Sequence, residues 1–143
     1  MAQECEFPKA NATTEEIRGI LKSAKTIAVV GLSDKPDRPS YHVAAYLKDH
    51  GYQIIPVNPV LNAVLGEKSY GSLTEIPFPV DVVDVFRKPD ALPEITAEAI
   101  RVGAKTLWMQ EGIVHNESAE LARKAGMRVV MNKCILKEHM RLG

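Results

Sequence analysis

Lys25-Thr-Ile-Ala-Val-Val-Gly31-Leu-Ser33-Asp-Lys35-Pro-Asp-Arg38-Pro-Ser40-Tyr-His42 begins as a strand, breaks into a polar loop at Gly31 and resumes as a helix at about Ser40. The run Thr26 to Val30 is β-branched and apolar, the composition of a buried strand. Strand, open loop and helix in succession is how an α/β domain begins a ligand site. Loop amides and the helix start behind them carry partial positive charge, so the stretch favours phosphate.

The flanks repeat this grammar. Before the stretch, Thr13-Thr14-Glu15-Glu16 fits a capping box, and Ile17, Ile20 and Leu21 recur at helical spacing, predicting a helix over about 14–23. After it, Val43, Ala44 and Leu47 give a second helix its buried face, with Gly51 to stop it before a strand that closes at Asn58-Pro59. Asp90 is the expected cap of a third helix, stopped by Gly103. Asn116 is the expected cap of a fourth, stopped by Gly126, and each is followed by an apolar strand. Helix, glycine, strand, repeated with near-continuous apolar strands, predicts parallel βα units covered on both faces.

The expected strands lie at about 25–30, 52–57, 81–86, 105–109 and 127–131. They imply an α/β fold, a Rossmann-like doubly wound five-stranded parallel sheet in the order 3-2-1-4-5. Residues 1–12 read as an N-terminal arm and 13–143 as one domain. The 59–80 segment is the least regular, with one helical turn near Ser72 to Ile76, and Ile135 to Leu142 reads as a short closing helix.

At 143 residues the chain can bury a core without disulfides or metals. Its 18 basic and 18 acidic residues cancel, so no excess charge points to nucleic acid or an anionic membrane. No apolar run has the length of a membrane span and the N-terminus lacks a secretion pattern, so a cytoplasmic setting is expected. Cys5 and Cys134 form no CxxC pairing and read as free thiols, and the four histidines show no metal-ligand spacing.

In an open parallel sheet, ligands bind outside the carboxyl ends of the strands, where the strand order reverses. The strand ends deliver Gly31, Leu32, Ser33, Asp34, Lys35 and Arg38 to Ser40; then Asn58 and Pro59; Phe86, Arg87 and Lys88; Gln110, Glu111 and Gly112; and Asn132, Lys133 and Cys134. Four basic side chains from the first and third loops therefore converge on one crevice. NAD(P) is the obvious ligand to weigh. The first loop has one glycine where a dinucleotide pyrophosphate wants G-x-G-x-x-G, and Asn58 stands where a carboxylate would hold the ribose hydroxyls. A neutral residue there tolerates a ribose phosphate.

Val-Val-Gly-Leu-Ser-x-x-Pro-x-Arg-Pro-Ser-Tyr, Ile-Ile-Pro-Val-Asn-Pro, Leu-Gly-Glu, Val-Asp-Val-Phe-Arg, Trp-Met-Gln-Glu-Gly-Ile and Val-Val-Met-Asn-Lys-Cys stand in order along residues 14–140. In order and spacing they resemble the small single-domain CoA-binding protein family, which is similar to the CoA-binding domain of the succinyl-CoA synthetase α subunit. The resemblance implies coenzyme A or an acyl-CoA as the small-molecule nucleotide ligand. It implies that Gly31 and Ser33, with Arg38, Pro39, Ser40 and Tyr41, form the phosphate cradle, and Leu32, Lys35 and Cys134 are counted with them in the cofactor-binding set. Asn58 and Pro59 would line the nucleotide, Phe86 and Arg87 would flank the adenine or its ribose phosphate, and Gln110, Gly112 and Ile113 would run beside the pantetheine arm. The chain departs from the family at Asn132-Lys133, where many relatives carry Asp-Arg.

No nucleophile paired with a base is visible, so the chain reads as a binding module without catalysis of its own. Two other readings stand beside it: an NAD(P)-binding oxidoreductase-type domain, and a CoA-responsive regulatory or redox protein using Cys134, with a protein partner that the sequence does not identify. Cys134 is itself open between a thiol within reach of bound CoA and a small buried apolar residue. Trp108 reads as core, with a wall of the pantetheine channel as the rival, and Asp84 as a satisfied, partly buried carboxylate.

Overall fold

Residues 7–142 are described by the computed structural model. The chain runs through α1 (Thr14–Ser23), β1 (Thr26–Val30), α2 (Pro39–Asp49) and β2 (Gln53–Val57). A small antiparallel hairpin follows, β3 (Ala63–Val64) with β4 (Glu67–Lys68), then a 3-10 turn at Leu73–Glu75 and β5 (Val82–Val85). A second 3-10 turn at Pro89–Ala91 leads into α3 (Leu92–Val102), β6 (Thr106–Met109), α4 (Asn116–Lys124), β7 (Arg128–Val130) and α5 (Ile135–Leu142).

Five strands pair in parallel in the order β2-β1-β5-β6-β7, the doubly wound α/β sheet that the sequence predicts. In chain order of these five strands the sheet is 2-1-3-4-5 and not 3-2-1-4-5. The correction has a local cause. The Asp81 carboxylate, just before β5, accepts from Lys25 N (2.7 Å) and Thr26 N (3.1 Å), and the Thr26 hydroxyl donates to Pro79 O (3.1 Å). These bonds seat β5 beside β1. The outer edge of β2 is taken by the irregular segment, where Tyr70 N donates to Pro56 O (3.0 Å) and Asn58 N to Tyr70 O (2.9 Å).

Side chains alternate across the sheet with period two. Ala28, Val30, Ile55, Val83, Val85, Leu107 and Met109 form one core with residues of α3 and α4; Ile27, Val29, Ile54, Trp108 and Val130 form the other with residues of α1, α2 and α5. Burying each large aliphatic side chain contributes about 1.5–3 kcal/mol. Trp108 belongs to this second core, fully buried, with its indole N–H donated to Lys133 O (2.8 Å). It walls no channel. Asp84, expected to be satisfied and partly buried, is fully buried, and neither of its oxygens has a hydrogen-bond partner among the described residues.

The helix ends show what drives local structure. Thr13 and Glu16 form the expected capping box, Oγ1 accepting from Glu16 N (3.1 Å) and the Glu16 carboxylate from Thr13 N (2.9 Å). At α4 the cap is His115, not Asn116: the His115 Nδ1 accepts from Ser118 N (3.1 Å). Asn116 instead ties down the arm, accepting from Lys9 N and donating to Phe7 O, each at 2.8 Å. Asp90 lies inside the 3-10 turn, and Ala91 takes the cap position of α3 without a side-chain bond. The arm's remaining residues and Cys5 lie outside the described residues. Its described part is anchored to the sheet through Asn11, which accepts from Met131 N and donates to Met131 O, each at 2.9 Å.

Candidate functional site

The strand order reverses between β1 and β5, and the loops that follow these two strands meet there. Gly31 makes the meeting possible. Its φ is +89°, and a Cβ on it would lie 2.8 Å from Phe86 O and 3.0 Å from Arg87 Cδ. Only glycine meets both conditions without strain.

The rest of the first loop is held by two hydroxyls. Ser33 N donates to Ser40 Oγ (3.0 Å), and Lys35 N donates to Ser33 Oγ (3.1 Å). Each hydroxyl acts as acceptor here and keeps a proton to donate outward. At the start of α2, Arg38 supplies no side-chain cap and Pro39 has no N–H, so the amides of Ser40 and Tyr41 carry no hydrogen bond among the described residues. That end of an 11-residue helix is open to an anion.

Around it stand Lys35, Arg38, Arg87 and Lys88, all exposed and in no ion pair among the described residues. Asp34 and Asp37, in the same loop, offset half of that charge and are likewise unpaired, so the rim is positive on a chain whose formal net charge is zero.

Below the rim lies a crevice of about 510 Å³. It brings together Pro39, Phe86, Arg87, Gln110, Gly112, Ile113 and Cys134 from the expected set. Lys88 and Glu111, also delivered by the strand ends, line it together with Val43 and Pro89. Val43 was expected only as core, although its spacing of four from Pro39 places both on one helical face. Cys134 is half-buried: it lines the crevice and packs against the second core.

Other expected residues have different places. Leu32 is fully buried in the core. Asn58 uses its carboxamide inside the protein, donating to Leu32 O and accepting from Val60 N, each at 3.1 Å. It braces the first loop and does not face the crevice, while Pro59 is exposed beside it. Asn132 takes a left-handed conformation, φ 59°, and its Oδ1 accepts from Gly112 N (2.7 Å), joining the loops after β6 and β7. A second cavity of about 450 Å³ lies at the opposite, amino edge of the sheet, where Asp81 and Lys105 are already paired at 3.6 Å.

A family model described as a CoA binding domain matches residues 25–140. The chain is 43% identical over 129 residues to the uncharacterized protein YneT of Bacillus subtilis, covering 90% of this chain and 96% of that protein. A solved structure, a hypothetical protein from Pyrococcus horikoshii, superposes with a TM-score of 0.90 at 43% identity, covering 98% of this chain and 99% of that one. An ADP-forming acetate–CoA ligase of Archaeoglobus fulgidus is 31% identical over 117 residues, 73% of this chain but 17% of the ligase.

Proposed function

The chain belongs to the CoA-binding domain family, and on that premise we propose that it holds coenzyme A, free or acylated, across the carboxyl edge of its sheet and performs no chemistry alone. The observation that carries this reading is the pairing of unpaired cations with open helix-start amides on the rim of the crevice, an arrangement suited to a polyphosphorylated ligand. In this reading Gly31, Ser33, Lys35 and Arg38 to Tyr41 cradle the phosphates. Phe86 and Arg87 flank the adenine or its ribose phosphate, with Pro59 at the margin, and Gln110 to Ile113 lie along the pantetheine arm. Asn58 acts through the loop that it braces. The ligand is a small molecule of the cytoplasm; among the described residues no helix is long and apolar enough to cross a membrane.

The chain spans only 17% of the acetate–CoA ligase, so the ligase's own activity is no part of this reading. Competition binding separates the proposal from a dinucleotide site. At equal concentrations CoA should hold the site against NADH; NADH binding tighter than CoA overturns the reading.

A further inference from the structure

Gln110 stands out in the crevice. Its side chain is 4% exposed, yet it lines the cavity beside Ile113 and Cys134. Its Oε1 accepts from the backbone N–H of Ile135 at 3.1 Å, the first residue of α5. Only the oxygen of a carboxamide can accept that bond, so the orientation of the amide is fixed by chemistry. The NH2 group is therefore the other end, and it has no hydrogen-bond partner among the described residues.

Several carbonyls of the neighbouring loops already accept one bond each. Gln110 O accepts from Ile113 N (2.9 Å), Met109 O from Lys133 N (3.3 Å) and Cys134 O from Glu138 N (3.0 Å). Asn132 Oδ1 accepts from Gly112 N. The donor, carried by a residue only 4% exposed and opening into the crevice, is left for a ligand group that accepts. A secondary amide, of which the pantetheine arm has two, carries both an N–H and a C=O; a thioester carbonyl only accepts. An N–H that opens into a cavity and has no acceptor from the protein gains a partner from a ligand that carries a carbonyl there.

We propose that the Gln110 NH2 group reads the thioester carbonyl of an acyl-CoA, so that the crevice selects acylated coenzyme A by its carbonyl oxygen. The inference rests on the coenzyme A reading above and adds the class of ligand. Phe86, Ile113, Val43 and Pro39 give the acyl chain apolar walls.

The test compares acetyl-CoA with S-ethyl-CoA, which has the same chain length and lacks only the carbonyl, by calorimetry on the whole protein. One hydrogen bond worth about 1.4 kcal/mol predicts about tenfold tighter binding of acetyl-CoA. Gln110→Glu keeps an oxygen for Ile135 N and removes the donor, so the preference should collapse to within about twofold. Equal binding of the two ligands by the unaltered protein overturns the inference while leaving CoA binding intact, as does a Gln110→Glu variant that keeps the preference. Failure of CoA, acetyl-CoA and S-ethyl-CoA alike to bind overturns the coenzyme A reading itself.

Discussion

Gly31 is where one atom decides whether two loops can meet. Gly31→Ala places a Cβ in a left-handed conformation, at a cost of about 1–2 kcal/mol, and drives it against the Phe86 carbonyl. Urea denaturation should show a loss of at least that size together with weakened CoA binding. Arg38 and Arg87 act at the same scale. Replacing either by Ala should weaken CoA binding by about 1.5–3 kcal/mol, the range for a hydrogen bond to a charged group, read by titration.

Asp84 concerns stability, not binding. Burial holds its carboxyl well above the usual carboxylate range, so it is neutral in the fold. In the unfolded chain it ionises near ~3.9. Its contribution to stability is therefore fully present below that pH and is lost as pH rises toward the folded pKa, by up to about 1.4 kcal/mol per pH unit. Asp84→Asn does not titrate, so its stability relative to the parent should climb between pH 4.5 and pH 8. A difference that does not change with pH contradicts the account.

At the scale of elements, α2 and α5 meet at an aromatic and imidazole cluster. Tyr46 and His50 stack with centroids 4.0 Å apart, and the Tyr46 hydroxyl lies 2.8 Å from His139 Nδ1. Burial, and then the neighbouring His50, lower the pKa of His139. The fold favours the neutral ring, so its contribution is present above the unfolded value near ~6.5 and is lost as pH falls through the folded pKa. In thermal melts the stability of the parent relative to His139→Gln should fall as pH drops below about 6.5. A constant difference would place the sensitivity elsewhere.

The helices and strands were legible because their signals are local. Thr13 with Glu16 wrote a cap, and Gly103 and Gly126 marked where helices give way to strands. Strand order was not legible, because it depends on contacts such as Asp81 with Lys25 and Thr26, more than fifty residues apart. The cap of α4 departs from its local signal for a related reason: Asn116 is drawn to the arm and His115 takes its place. At the site, residue type and strand-end position marked the crevice wall well. They did not reveal that the Asn58 carboxamide is already spent on Leu32 O and Val60 N.

For the whole molecule, a doubly wound sheet reverses its strand order once, and that reversal gathers a positive rim on a chain of zero net charge. The field that meets an anion is therefore local and comes from a few side chains, screened over about 8–10 Å at physiological salt. CoA with its ribose 3′-phosphate should exploit the rim more fully than dephospho-CoA. Calorimetric titration of both into ligand-free protein tests this most directly. CoA should bind saturably at one site per chain, with dephospho-CoA weaker by about tenfold, the value of one charge-assisted phosphate contact. No heat from either ligand at high micromolar concentration would contradict it.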